Sequence, residues 1–231
     1  MTEALLDRQP AGDTLSERAA AFVERDIVAG VFAPGARLAI ADLAERYAIG
    51  ATPIREGLSR LVARGLIVAI GQRGFRVSEV SRADLEDITR LRSLIECEAL
   101  RRSIALGDGA WEGAIVAALH QLRRYAMQNG AGLREGRPDF DALHKAFHTS
   151  LIAACGSPRM IKAHSELYDQ AYRYRRVMMR SFEEPQDFVA SHEALAELAL
   201  SRRVEEATAR LAVHLRSTLA LVYPDRPGQT S

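Results

Sequence analysis

Four of the six histidines stand at spacings that could bring imidazoles to one point. His144 and His148 are four residues apart, so on a helix both rings leave the same face. His192 and His214 flank a bend expected near Arg202, ten residues before it and twelve after. At 1.5 Å per residue the two rings sit about 15 and 18 Å from that turn, at nearly one height on an antiparallel helix pair. Three helices would then offer four nitrogen donors to a divalent first-row ion, for which imidazole is a suitable ligand. The same spacings fit ordinary core or surface histidines, since an i,i+4 pair arises by chance fairly often. Spacing alone leaves both readings open. His120 and His164 have no such partners in the sequence and are read as structural.

A second group of residues suits phosphate chemistry. From Arg46 to Arg76 there are six arginines (46, 55, 60, 64, 73 and 76) against one acid, Glu56, a net of +5 on a chain whose total is +1. Focused positive charge of this kind is the footprint of a polyanion binder. The elements that must position it are a short helix after Leu38, a tight turn at Ile49-Gly50 and a second helix from about Thr52. An apolar strand (Ile67–Ile70), a Gly71-Gln72-Arg73-Gly74 turn and a returning strand (Phe75–Ser78) follow. That order is a winged helix-turn-helix, whose second helix enters the major groove while the hairpin lies over the DNA backbone. Ile54, Leu58, Leu61 and Val62 fall on one side of the second helix and should bury. Thr52, Arg55, Glu56 and Ser59 lie on the other, where hydroxyls and a guanidinium suit phosphates and base edges. Pro53 belongs in the first turn, where its missing N–H costs nothing.

The rest of the chain must carry the histidines. Thr14 to Ala29 has helical periodicity and stops at Gly30. Beyond the wing, Ser81 or Asp84 can cap a long helix to about Ala105, with Leu85, Ile88, Leu91, Ile95, Ala99 and Leu100 on one stripe. Further helices are expected at about Ala110–Gln128, Phe140–Ala154, from Ser157 (as cap) to about Ser181, Pro185–Leu200 and Val204–Val222. The glycine-bearing run from Asn129 to Pro138 reads as a loop. The expected architecture is mainly α: a winged helix-turn-helix over 14–79 and an all-α bundle of six to seven helices over 80–223. Residues 1–13 and 224–231 read as tails.

Composition bounds the class. With 231 residues, 48% hydrophobic and 26% charged, the chain can form two modest domains, each with its own core. Cys97 and Cys155 stand far apart and outside any CxxC spacing, so reduced, packed thiols are expected. No run approaches the ~20 apolar residues of a membrane span. Glu3, Asp7 and Pro10 interrupt the apolar core that a secretion signal needs, so a cytoplasmic protein with no membrane partner is expected.

The stretch from Val28 to Val77 resembles the amino-terminal domain of GntR-superfamily transcription regulators. It matches their pattern at Gly30, Pro34-Gly35, Leu38, Leu43-Ala44, Thr52-Pro53-Ile54-Arg55-Glu56, Gly65-Leu66 and Gly74. It departs at Gly50-Ala51, where the family usually has Ser-Arg, and at Ala41, where many members have Arg or Glu. The resemblance implies a homodimer on a palindromic double-stranded DNA operator, acting as a repressor more often than as an activator. With the family's base-reading arginine absent, contacts would lean on Thr52, Arg55, Ser59 and the wing at Arg73 and Gly74, on an operator unlike the usual one.

The second half resembles the FCD effector domain of the FadR-like subfamily. Its marks are Arg92 with Glu96, the run His144-Lys145-Ala146-Phe147-His148, and His192 with His214, 22 residues apart. Relatives with this signature hold a divalent metal on one Asp and three His. Here His144 stands where the Asp usually does, and an all-imidazole set (His144, His148, His192, His214) favours Zn²⁺, or Ni²⁺, over Mn²⁺ or Mg²⁺. Such a centre would attract a small carboxylate effector. Arg92 could take the anion's second oxygen or could simply pair with Glu96 at i+4. Tyr168, Tyr172, Arg173 and Arg176 on one further helix could help line the pocket. The alternatives are a metal-dependent helical hydrolase with Asp141 or Glu193 as base, and a regulator whose metal is structural or is itself the signal.

Overall fold

The computed structural model describes residues 14–71, 74–130, 138–178 and 184–224. The expected tails at 1–13 and from 225 onward, the centre of the expected 129–138 loop, and Arg73 lie outside the described residues. The chain forms two compact units, one taking in Val31–Glu79 and most of the helix before it, the other Val80 onward.

In the first unit the order is α1 (Leu15–Val28), β1 (Arg37–Leu38), α2 (Ile40–Tyr47), α3 (Ala51–Ala63), β2 (Ile67–Ala69) and β3 (Phe75–Val77). The two-residue strand β1 was not anticipated; it makes the wing a three-stranded antiparallel sheet in the order β1-β3-β2. Alternation decides its faces: Leu38, Ile67, Phe75 and Val77 are buried, while Arg37, Val68 and Arg76 face outward. Ile70 N–H bonds the Gly74 carbonyl at 2.8 Å, and Gly74 takes φ +97°, a conformation in which a side chain would be strained.

The helix-turn-helix is held from behind. Ala19, Val23 and Ile27 of α1 pack with Leu43 of α2 and Ile54, Leu58 and Leu61 of α3 in one core. The expected inward side of α3 is therefore the observed one, except that Val62 is only half-buried and Gly57 completes the face. Asp26 ties α1 to α2, accepting from Tyr47 Oη at 2.8 Å and Arg46 Nε at 3.0 Å. Gly50 stands at the N-cap of α3 with no side-chain cap bond, as the missing family serine implies.

Among the described residues the second unit holds six helices: α4 (Arg82–Leu106), α5 (Gly109–Asn129), α6 (Pro138–Ile152), α7 (Pro158–Met178), α8 (Pro185–Leu200) and α9 (Val204–Val222). Their starts have local causes. Ser81 accepts from Asp84 N–H at 3.2 Å, Asp108 from Trp111 N–H at 3.0 Å and Ser157 from Met160 N–H at 3.3 Å; each such cap contributes about 1 kcal/mol. The core joins Leu100, Ile115, Phe147, Leu151, Leu195 and Leu211 across five helices.

One expectation fails in α4. Leu91, assigned to the buried stripe, is 41% exposed, as is its neighbour Leu94 at 65%, while Arg92 and Glu96 are buried. Helical spacing alone puts Leu91 on the inward stripe, but an ion pair that satisfies itself can take the inward face instead. The α8–α9 turn at Arg202 (φ +56°) is pinned to the α4–α5 turn. Its guanidinium donates to the carbonyls of Ile104 and Gly107 and lies 5.3 Å from the centre of the Trp111 ring. That anchor sets the heights of His192 and His214.

Helix α3 approaches α1 at Gly57. A Cβ there would fall 2.8 Å from Ala20 N and 2.9 Å from Ser16 O, both backbone atoms that cannot swing aside. Gly57→Ala should destabilise the first unit by about 1–3 kcal/mol. Thermal denaturation checks this, and an unchanged midpoint would show that the helices separate freely.

Candidate functional site

The described residues present two sites, one in each unit. On α3, Thr52, Arg55, Glu56 and Ser59 are all exposed, opposite the buried Ile54, Leu58 and Leu61. Ser59 Oγ donates back to the Arg55 carbonyl at 3.0 Å, so its hydroxyl is partly engaged within the helix. Gly74 closes the wing; Arg73, expected beside it, falls outside the described residues.

The charge is distributed less evenly than composition suggested. Arg46 pairs with Asp26 at 2.9 Å, Arg60 with Glu17 at 3.4 Å, and Arg64 with Glu24. These acids come from α1, upstream of the stretch whose charge was counted. Arg55 and Arg76 form no ion pair among the described residues, so the positive charge concentrates on α3 and the wing sheet.

In the second unit the four histidines meet. His144 and His148 stand one turn apart on α6 with Nε2 atoms 3.1 Å apart. His192 of α8 brings its Nε2 to 3.0 Å from that of His144, and His214 of α9 brings its own to 3.3 Å from that of His148. All four donor atoms lie within 4.8 Å of one another, and the group contains no carboxylate. Phe140, Phe147 and Phe188 pack against these rings.

Tautomers sharpen the geometry. His192 Nδ1 lies 2.7 Å from the Phe188 carbonyl, which only accepts, so the proton belongs on Nδ1 and the Nε2 lone pair faces the cluster. Converging lone pairs repel unless a proton or a cation sits between them. One ion bound at about 2.0–2.1 Å by imidazoles at angles of 90–110° would space their nitrogens by about 2.9–3.4 Å. The three closest separations fall in that interval. Two ligands of one such ion stand at most about 4.2 Å apart, and the four donor atoms span up to 4.8 Å, so His144, His148, His192 and His214 could hold a metal after a small inward shift of the widest pair.

Beside the cluster is a buried polar chain. Arg92 Nε donates to Glu96 Oε1 at 2.7 Å, with Nη2 at 3.5 Å from Oε2, so the i+4 pairing is the alternative that the structure adopts. His164 was read as lacking partners; it is fully buried, with Nδ1 3.2 Å from Glu96 Oε1 and Nε2 3.3 Å from Thr149 Oγ1. Burial alone would raise the Glu96 pKa, but the Arg92 charge and the nearby His164 outweigh it and hold it below the usual carboxylate value. Tyr168 stands at the centre of this region. Its ring lies 6.1 Å from that of His144, 6.0 Å from that of His148 and 5.2 Å from the Arg92 guanidinium carbon. Lys145 Nζ, paired with Asp169, approaches the same ring to 5.7 Å. Tyr172 is buried and stacks parallel to Tyr168 at 6.5 Å, and Arg173 is buried with its guanidinium over Tyr174 at 5.6 Å. The side chain of Arg176 lies outside the described residues. The central place of Tyr168 and the burial of Glu96 had no signal in spacing, because both depend on contacts between helices.

Residues 15–77 match the bacterial regulatory proteins of the gntR family, and residues 87–217, over half of the chain, match the FCD domain. The chain belongs to the GntR family and carries an FCD domain. It is 38% identical to the HTH-type transcriptional regulator BphR of Paraburkholderia xenovorans (strain LB400) over 200 residues, covering 85% of this chain and 80% of that one. It is 32% identical to the transcriptional repressor GlaR of Escherichia coli (strain K12) over 211 residues, covering 90% and 95%. Among solved structures, Escherichia coli McbR/YncC superposes with a TM-score of 0.77 at 19% identity, covering 91% of this chain and 98% of that one, a likeness of fold. The protein is thus a DNA-binding transcriptional regulator of the GntR/FCD type. Its relatives are regulators, not enzymes, which sets the hydrolase alternative aside. No described helix is long and apolar enough to cross a membrane.

Two outcomes follow from these geometries. Arg55→Ala should weaken binding to a duplex that the wild type selects from a random pool by roughly five- to 150-fold, for a contact contributing about 1–3 kcal/mol. Its melting temperature should not change; equal affinity in a gel-shift titration removes Arg55 from recognition. In chelator-treated protein, burial, followed by the charges of His214 and His192, pushes the His148 pKa well below its ordinary 6.5. The unfolded chain then takes up a proton near pH 6.5 that the folded one refuses, so stability is complete above that pH and is lost as pH falls below it. The slope should approach about 1.4 kcal/mol per pH unit. Denaturant melts at about pH 7.5 and 5.5 check it, with His148→Gln expected to flatten the dependence.

Proposed function

We propose that this regulator is a homodimeric repressor whose four-imidazole cluster holds a divalent metal, Zn²⁺ or else Ni²⁺, and that a small carboxylate bound there modulates its grip on a palindromic operator. The observation that carries the reading is the approach of four histidine nitrogens to within 4.8 Å in a carboxylate-free group, three of them buried and His214 half-buried. A divalent ion among neutral ligands keeps its full charge, and a Lewis-acidic centre of that kind favours an anion. Arg92 spends two of its donors on Glu96. A guanidinium has five, so a carboxylate could share it without breaking the ion pair. Tyr172 and Arg173, buried on the helix that also carries Tyr168, belong to the wall of this effector region.

Repression is favoured by GlaR, named a repressor and similar over nearly its whole length. Self-association is favoured by Leu91 and Leu94, large apolar side chains left exposed three residues apart on α4. Effector control would be a difference in effector affinity between DNA-competent and DNA-incompetent arrangements.

Metal analysis of the purified protein is the direct test. About one zinc or nickel per chain is expected, and His148→Ala combined with His192→Ala should abolish it. A full metal complement in that double variant places the ligands elsewhere. Operator titrations with candidate carboxylates, with and without chelator, separate the remaining readings. An effector response lost with the metal supports the proposal, whereas DNA binding that follows free metal alone makes the metal itself the signal.

A further inference from the structure

Apart from α3 and the wing tip, the first unit carries a pair of arginines whose placement has no structural explanation. Arg37 of β1 and Arg76 of β3 stand directly opposite each other in antiparallel register, and both are exposed. The ladder bonds close at the neighbouring position, where Val77 N–H meets the Ala36 carbonyl at 2.9 Å. Arg37 and Arg76 therefore form a non-hydrogen-bonded pair, the narrow kind, with Cα atoms about 4.5 Å apart. Like charges facing each other across such a pair disfavour the sheet.

Neither arginine forms an ion pair among the described residues, whereas Arg46, Arg60 and Arg64 of the same unit each have an acid partner. The carboxylate of Glu79 packs over Gly35, at the entry to β1. Arg76 is also held in place: its Nη1 donates to the Gly35 carbonyl, two residues before Arg37, at 2.9 Å. Val68, opposite Arg76 on β2, continues the same outward face and is 45% exposed. The face is thus a short strip with two positive charges side by side, one of them oriented by the backbone.

We propose that Arg37 and Arg76 form a phosphate clamp on the outward face of the wing sheet, gripping the DNA backbone independently of the base-reading side of α3. A phosphate between the two guanidiniums turns an unfavourable cross-strand pair into a doubly charge-assisted contact. It fixes the position of the protein on the duplex and carries no sequence information. Arg37 belongs to the clamp although it lies outside the arginine-rich stretch after Arg46, because β1 returns it to the sheet.

The test is the salt dependence of binding of the full chain to a 30-base-pair random-sequence duplex, followed by fluorescence anisotropy. Each phosphate contact adds about 0.9 to the slope of log affinity against log salt. Arg37→Ala/Arg76→Ala should reduce the slope by about 0.9 for each chain bound and weaken binding alike on unrelated sequences, with the thermal midpoint no lower than wild type. Arg37→Lys/Arg76→Lys should keep most of the slope, and Arg124→Ala, at an exposed bundle position, all of it. A slope unchanged in the alanine pair overturns the clamp, and so does an equal reduction in Arg124→Ala, which would make the effect one of net charge.

Discussion

Buried lone pairs govern the second unit. Four imidazole nitrogens lie within 4.8 Å of one another beside phenylalanine rings, three pairs of them at 3.0–3.3 Å, and in at least one ring, that of His192, a backbone carbonyl holds the proton on the far side from the cluster. An apolar core penalises such a group heavily unless something electropositive occupies its centre. Around it the helices are arranged as supports: α6 supplies two rings from one face, and the Arg202 anchor at the α8–α9 turn keeps the other two level. The buried Arg92–Glu96 pair, with His164 against it, completes a polar region reaching from α4 to α7. The capped start of α4, at Ser81, lies directly after the end of the winged unit at Glu79. Tyr174 of α7 holds that start, accepting from Ser81 N–H and donating to Asp84. The helix bearing Tyr168 therefore also grips the entry to the bundle.

The winged unit obeys a different constraint. It is small, so its recognition face must be displayed by a core of few side chains, and α1 is drawn against α3 at Gly57 until backbone meets backbone. Acids of α1 neutralise Arg46, Arg60 and Arg64, leaving the positive charge on α3 and the wing sheet. The same arrangement explains why a net charge of only +1 over the chain is compatible with a polyanionic partner: the field is set by placement.

Much of the fold could be read locally. Ser81, Asp108 and Ser157 mark helix starts by their own side chains, and Pro185 and Val204 begin helices where periodicity put them. The spacing of His192 and His214 about Arg202 predicted equal heights because helical rise is constant. By contrast, Leu91 misled, since a period of apolar residues cannot reveal that a neighbouring Arg and Glu neutralise each other inside. β1 was missed for a similar reason: two residues have no periodicity, and they form a strand only because β3 is there to pair with them.

What the amino-acid sequence determined by itself was therefore the set of helices, the exposed side of α3 and the pairing of His144 with His148, all properties of short segments and fixed rises per residue. Only the tertiary structure decided which nitrogens converge, that Arg92 turns inward to Glu96, that Tyr168 stands between the imidazoles and the guanidinium, and that Arg37 faces Arg76. Each of these is a contact between elements distant along the chain, and its geometry depends on how helices and strands pack, which no local pattern of residues encodes.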